Sequence, residues 1–525
     1  MTALKTMLVC VALLCGGLVL GAQAPQWQWA ASAGGVDLDH GQAIAADSQG
    51  NQYVTGYFED FATFGAHNLT ASGYTDIFVA KLDPYGNWLW AVKAGELASG
   101  QGQGIAVDGA GNSYLTGYFT STAAFGGHTL TTSGGKDVFA AKLDPEGNWL
   151  WAAAAGGAGD DQGFGIAVDS AGNAWLAGSF IGTAAFGSHS LSSSGSKDIF
   201  AAKLDSAGNF LWAASAGGPD NDISQGIAAD SAGNAYLTGS FFGTATFGSH
   251  MIGSNGYYDI FAAKLDPDGY WLWAVPAGGS GNESGMDIAV DSAGNSYVTG
   301  NFYATATFGP HTLMSYGTDD IFAAKLDSAG NWLWAVKAGG TTYDYAHGIA
   351  TDSGGNSYLA GVFEGTATFG PHTLSSGGSG DIFAAKLGPT GNWLWAVKAG
   401  GESIASGLGI AVSGSGNAWL TGLFYGTASF GSHSITASGS YDAFAAMLVY
   451  STPVDDGLIP EANTRTRLHN AWPNPFHRGE SAQIKADVAS GETGILRIFN
   501  LRGQCLQSHE LGPGPHQIRL DSQNL

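Results

Sequence analysis

The chain has 525 residues, a formal net charge of −24 and 83 glycines, with 12% charged and 12% aromatic residues. That aromatic content excludes a disordered linker, and many turn formers combined with many aromatics point to an all-β chain. The acidic balance excludes nucleic acid and anionic membrane surfaces as partners, because both present negative charge.

Residues 1–24 read as a secretory signal. Lys5 supplies the positive start, Met7–Leu20 is apolar, and Ala22-Gln23-Ala24 offers small residues for cleavage. The apolar run is shorter than the ~20 residues of a spanning helix, so no transmembrane anchor is expected after cleavage. Cys10 and Cys15 leave with this segment. Cys505 then stands alone, and packing rather than a disulfide must carry the stability.

Residues 25–451 are organised by repetition. Gly-Asn at 50–51 recurs at 111, 172, 233, 294, 355 and 416, always 61 residues on. His67 and Asp76 keep the same spacing through to His433 and Asp442. Each unit holds four expected strands, of which Gly104–Asp108 is short and small and Asn112–Phe119 alternates polar and apolar. Asp137–Asp144 and the Trp-rich Asn148–Ala152 follow, and the segment between the second and third strands reads as a long loop. Asp108-Gly-Ala-Gly-Asn112 and Asp144-Pro-Glu-Gly-Asn148 are tight hairpin signals. Four antiparallel strands per 61 residues, seven times over, predict a seven-bladed β-propeller.

The ends of the array distinguish a ring from a rod. The last unit stops at Tyr450 without a Trp-Leu-Trp strand, and Trp27-Gln-Trp-Ala-Ala31 matches the missing piece in register with Trp88-Leu-Trp-Ala91. The N-terminal strand is therefore expected to close the ring, whereas an open solenoid would leave two unpaired edges. Residues 25–451 hold 11 Lys, no Arg and 35 Asp or Glu, while all six Arg lie beyond, which sets a domain boundary near 451.

Units such as Gly285-Met-Asp-Ile-Ala-Val-Asp-Ser-Ala-Gly-Asn-Ser-Tyr-Val-Thr-Gly300, followed by Asp320-Ile-Phe-Ala-Ala-Lys-Leu-Asp327, resemble the bacterial SBBP-type β-propeller repeat. The resemblance covers about four-fifths of the chain and implies a fold without a single activity. Departures are local: Ser413 and Gly388 replace a turn Asp, Phe210 a Trp, Tyr270 a turn Asn, and Met447 a Lys.

Residues 452–470 read as a linker and 471–525 as a small β-sandwich. Ala471-Trp-Pro-Asn-Pro-Phe476, Ile495–Gln504 and Gly514–Asp521 resemble the sorting domain of type IX secretion substrates. The resemblance implies the secretion machinery as a partner. The chain reaches Leu525 before the Gly-x-Tyr strand with which that family continues, so this domain is expected to be incomplete.

Seven equivalent His on neighbouring blades lie too far apart to share an ion, and the Asp turns lack a dense calcium ladder, Asp266-Pro-Asp-Gly269 being the nearest. The repeats also partly resemble those of quinoprotein dehydrogenases, but the 61-residue period and the Ile-Ala-Val-Asp strand fit that family poorly. Neither a metal nor a cofactor is expected, and no catalytic constellation stands out.

Variation concentrates after each Ala-Gly-Gly, on the face opposite the tight hairpins. The candidate ligand-binding residues there are Asp37, Asp39, His40, Asp160, Asp161, Asp220, Asp222, Glu283, Asp344 and His347. The resulting expectation is a monomeric, secreted or surface-attached binding scaffold for a glycan or protein. A carbohydrate-active or quinoprotein-like enzyme and a structural surface-layer component are the alternatives.

Overall fold

The computed structural model describes residues 24–450 apart from 96–98 and 415, together with strands Cys10–Leu14, Arg467–Leu468, Ser481–Val488, Gly494–Phe499, Cys505–Leu511 and Gly514–Asp521. Ala24–Ser451 forms one compact unit. In its second repeat Gly100–Val107, Ser113–Phe125, His128–Leu143 and Trp149–Gly157 follow one another as antiparallel neighbours. The same meander recurs along the unit. The architecture is all-β, with repeating antiparallel sheets in a propeller-like arrangement.

The segment expected as a long loop after the second strand is a hairpin arm instead. Thr122–Phe125 pairs with His128–Thr131 across a two-residue turn, in which Gly126 takes a φ of 59° that favours glycine. The arm alternates, so Ala123 and Phe125 face inward and are buried. Phe125 sits edge-on to Trp149 at 5.2 Å and tilted on Phe139 at 5.0 Å. The recurring His opens the return strand of each such arm, as His67 does opposite Phe64.

At the opposite end, the Asp turns are internally satisfied. Asp108 Oδ1 accepts the backbone N–H groups of Ala110 and Asn112, and Oδ2 accepts from Asn112 Nδ2 and Tyr114 Oη. Burial alone would raise the Asp108 carboxyl, but these donors outweigh it and hold the group below the usual carboxylate range. Tyr114 Oη also lies 3.2 Å from the Gly172 carbonyl of the next repeat. Trp90 and Trp151 donate their indole N–H to Pro145 and Ser206 carbonyls at 3.0 and 3.1 Å, tying these two repeats to their successors.

Two of the local departures are one event. Lys386 pairs with the turn Asp352 at 3.3 Å, and Lys142, Lys203 and Lys325 stand in the same place against Asp108, Asp169 and Asp291. In the last repeat Met447 replaces the Lys and Ser413 the Asp, so both charges vanish together.

Gln26–Ala33 pairs antiparallel with His433–Val449, placing Trp27 opposite Leu448 and Trp29 opposite Met447. Trp27 meets Phe430 edge-on at 5.1 Å, as Trp149 meets Phe125. Trp29 Nε1 donates to the Pro84 carbonyl at 3.0 Å, the bond that Trp90 makes one repeat later. Among the inner first strands, a Cβ on Gly104 would fall 3.2 Å from Ile166 N, and one on Gly409 would fall 3.2 Å from Ile44 N. Inner first strands thus approach closely, Gly409 against Ile44 as Gly104 against Ile166.

The second compact unit contains residues 1–23 and 452–525. Its described strands form two three-stranded antiparallel sheets. Cys10–Leu14, within the segment read as a signal, pairs with Ile495–Phe499, an arrangement open to any apolar extended segment that meets a free sheet edge. The linker apart from Arg467–Leu468, the Pro-Asn-Pro-Phe motif and the Leu-Arg-Gly-Gln turn lie outside the described residues. No helix among the described residues is long and apolar enough to cross a membrane.

Candidate functional site

The face carrying the hairpin arms and the Ala-Gly-Gly segments divides the ten candidate residues into four groups. Asp39, Asp161, Asp222, Glu283 and Asp344 are at most 1% exposed. Their carboxyl groups therefore face the protein interior rather than solvent. They occupy one repeat position, four residues beyond the second glycine, and they fold the segment back on itself. Asp161 accepts Gly157 N–H at 2.7 Å and Ile181 N–H at 3.0 Å. Asp39, Asp222 and Asp344 accept the equivalent Gly35, Gly218 and Gly340 N–H groups at 2.7 Å, and Glu283 accepts Gly279 N–H at 3.1 Å. Gly100 and Ala405 fill this position in the other two repeats, and its flanks vary.

Asp37 and Asp160 are exposed, and Asp160 accepts the Lys136 backbone N–H at 3.1 Å. His40 stacks on Tyr57 with its Nδ1 2.9 Å from Tyr57 Oη. Burial lowers the His40 pKa to about 4, so its ring is neutral in ordinary buffers.

Asp220 lines a cavity of about 350 Å³ with Ser196, Pro219, Asn221, Phe242, Tyr257 and Tyr258. Phe242 and Tyr257 lie nearly parallel at 16°, with centroids 6.4 Å apart, and Tyr257 is 65% exposed. Asn221 Nδ2 donates to Tyr258 Oη at 3.2 Å, which fixes the amide beside the aromatic wall. The local signal for this cavity is Tyr257-Tyr258, where other repeats carry Tyr-Thr, Gly-Lys, Ser-Lys, Thr-Asp, Ser-Gly or Ser-Tyr. The aromatic pair belongs to the arm's return strand, in the stretch expected to be a long loop.

His347 stands apart from all of these, in a second cavity of about 220 Å³ enclosed by inner first strands. Gln42, Gln103, Gln225, Met286 and Asp287 also line it. Asp287 breaks the repeat at a position that is Gly or Ala in every other unit. Its oxygens accept Ile288 N–H at 2.8 Å and Ile349 N–H at 2.9 Å. Burial outweighs those donors and pushes its carboxyl up to about 7, while burial lowers the His347 pKa to about 4. Among the described residues, no group of three His, Cys, Asp or Glu could hold a metal ion.

The SBBP beta-propeller repeat matches residues 211–240. The chain is 25% identical, over 75% of its length, to an uncharacterized WD repeat-containing protein of Acanthamoeba polyphaga mimivirus, of which it spans 36%. It is 29% identical to the regulatory protein FlaEY of Caulobacter vibrioides over 26% of its own length and 15% of that protein. Among solved structures, Sqt1 from Chaetomium thermophilum matches 76% of this chain and 83% of its own, with a TM-score of 0.38 and 10% identity. The chain thus spans well under two thirds of the curated relatives it matches.

Proposed function

We propose that residues 25–451 are a seven-bladed β-propeller sealed by Gln26–Ala33, carried by a secreted or cell-surface protein that binds a neutral glycan without turning it over. The cavity beside Asp220 and Tyr257 carries this reading. Aromatic faces bury the C–H surface of a sugar ring, while Asp220 and Asn221 accept and donate hydrogen bonds to its hydroxyls. A net charge of −24 disfavours sulfated or uronic polymers. The blade count and closure are supported by the seven sequence markers and by the Trp29–Pro84 bond. In this reading the 471–525 segment is a small β-sandwich that addresses the chain to the secretion machinery, after removal of residues 1–24.

Glycan-array binding of the full chain and of Tyr257→Ala and Asp220→Ala tests the site. Binding that both substitutions abolish supports it. Binding that neither changes removes the cavity from consideration, and turnover of a bound polysaccharide would replace the scaffold reading with an enzyme. Self-assembly in sedimentation without ligand binding would favour a surface-layer component.

A further inference from the structure

Successive sheets meet at buried junctions built from three repeat positions: a third-strand aspartate, a fourth-strand residue, and the residue that the buried acids of the Ala-Gly-Gly segments occupy. Two junctions combine one acid with one lysine. Lys93 pairs with Asp76 at 2.7 Å where the third position is Gly100, and Lys398 pairs with Asp381 at 3.0 Å where it is Ala405. A third holds two acids and a lysine, with Lys337 3.4 Å from Asp320 and Asp344 alongside.

The remaining four junctions hold two acids and no lysine, because the fourth-strand position is Ser32, Ala154, Ser215 or Pro276. The two carboxyl groups are close. A Cβ built on Gly34 would lie 2.7 Å from Asp442 Oδ1 and 2.8 Å from Asp39 Oδ2. One on Gly217 would lie 2.9 Å from Asp198 Oδ2 and 3.0 Å from Asp222 Oδ2. At the Asp259–Glu283 junction, Asp259 Oδ1 and Glu283 Oε1 are both buried without a donor, and the Asp259 carboxyl is close enough to raise that of Glu283. Both junctions without a second acid carry a lysine, so the chain consistently avoids leaving a buried acid with neither.

We infer that at these four junctions one proton, shared between two carboxyl groups, takes the place that a lysine ammonium holds elsewhere, making the stability of residues 24–451 sensitive to alkali. The donor inventory points to a proton rather than a metal. Asp161 has both oxygens occupied by backbone N–H groups, and Asp137 Oδ2 accepts Ser133 N–H at 2.9 Å. Asp137 Oδ1 has no donor, Asp198 Oδ1 lacks one at its own junction, and at the other two junctions both acids have such an oxygen: Asp39 and Asp442 Oδ1, and Asp259 Oδ1 with Glu283 Oε1. One proton held between two carboxyl groups serves these oxygens, whereas calcium needs 6–8.

The other groups facing these pairs supply no positive charge. Asp37 and Glu59 approach Asp39, Asp160 approaches Asp161, and Asp220 approaches Asp222. His40, next to Asp39, is held neutral by burial, and the Lys136 ammonium lies over the Tyr118 ring. Burial therefore dominates, lifting Asp39 to about 8, Asp222 and Glu283 to about 7 and Asp161 to about 6 from ordinary values of 3.8 for Asp and 4.5 for Glu. Between the unfolded and folded values the native state holds more protons than the unfolded chain. The contribution is complete below about pH 4 and is lost as pH rises through 6–8.

Melting of the full chain between pH 5 and 9, with and without Asp137→Asn plus Asp198→Asn, tests this. The amides mimic the protonated acid while still accepting Ser133 and Ser194 N–H. The parent Tm should fall across the window, the variant's should fall less, and the two curves should cross. The infrared C=O stretch of protonated carboxylic acid should persist in the parent at pH 7 and weaken in the variant. Should the amides fail to fold, Ala154→Lys with Asp161→Ala rebuilds the lysine arrangement and should flatten the curve likewise. Parallel curves, no acid band at pH 7, or a parent Tm at pH 8 that calcium raises would overturn the inference.

Discussion

The two ends of the strands are made by the same 61-residue repeat, yet they differ in how completely their polar groups are satisfied. At the Asp-turn end, Asp108 alone accepts four hydrogen bonds, Tyr114 and Trp90 reach across to the next repeat, and lysines close the charge. At the arm end, a cavity opens beside Asp220 and buried carboxyl oxygens such as Asp137 Oδ1 lack donors. One end is framework. The other leaves chemistry unspent, and it is also where the repeats differ from one another.

The largest expected effect breaks the framework altogether. Deleting Gln26–Ala33 removes Trp27 and Trp29 and exposes the edge of His433–Val449. Losing each buried Trp costs about 3–5 kcal/mol, so the cooperative melt followed by near-UV circular dichroism should be lost or shifted far down. A deletion variant melting with the parent would show that the strand closes nothing. Next comes Phe125→Ala, which empties the packing between Phe139 and Trp149 and should cost about 3–5 kcal/mol in denaturant unfolding.

Asp108→Ala probes the turn end more gently, leaving the Asn112 side chain and two backbone N–H groups without their acceptor. A loss of about 1–3 kcal/mol is expected, with no effect on ligand binding. Tyr257→Ala and Asp220→Ala should do the opposite, abolishing glycan binding while moving stability by about 0.5 kcal/mol or less. A large stability loss at Tyr257 would erase the distinction between the two ends.

The smallest effect is a pH difference at the inner cavity. Asp287→Gly restores the residue of its neighbours and removes a carboxyl whose folded pKa, about 7, lies above its unfolded 3.8. Ionising that group in place costs stability as pH rises from about 4 to 7, so the variant should gain on the parent across that window and hold its advantage above it. Equal melting curves at pH 5 and 8 would mean that Asp287 ionises without penalty.

Much of this was legible in the chain, residue by residue. Gly-Asn at 50–51 and its copies announce the Asp turns, and the structure repeats their hydrogen bonds almost unchanged at Asp108, Asp169 and Asp230. The match of Trp27-Gln-Trp29 to Trp88-Leu-Trp90 anticipates the pairing with His433–Val449. The arm is hard to read in the chain because Thr-Ala-x-Phe is a short pattern rich in small residues, whose inward face is visible only once Phe125 is seen against Trp149. The burial of these acids is hidden for a related reason: a carboxylate beside glycines in a variable segment has the composition of an exposed loop.

What the sequence determined by itself is periodic: turn, strand and aromatic positions depend on neighbours a few residues away or one repeat away, and spacing records both. Only the tertiary structure decided which carboxylates are buried and which meet solvent, because burial depends on the sheet that packs alongside. Asp160 and Asp161 are adjacent in the chain, yet one is exposed and the other has no exposed surface. The extended chain sends alternate side chains to opposite sides, and the neighbouring sheet covers one of those sides.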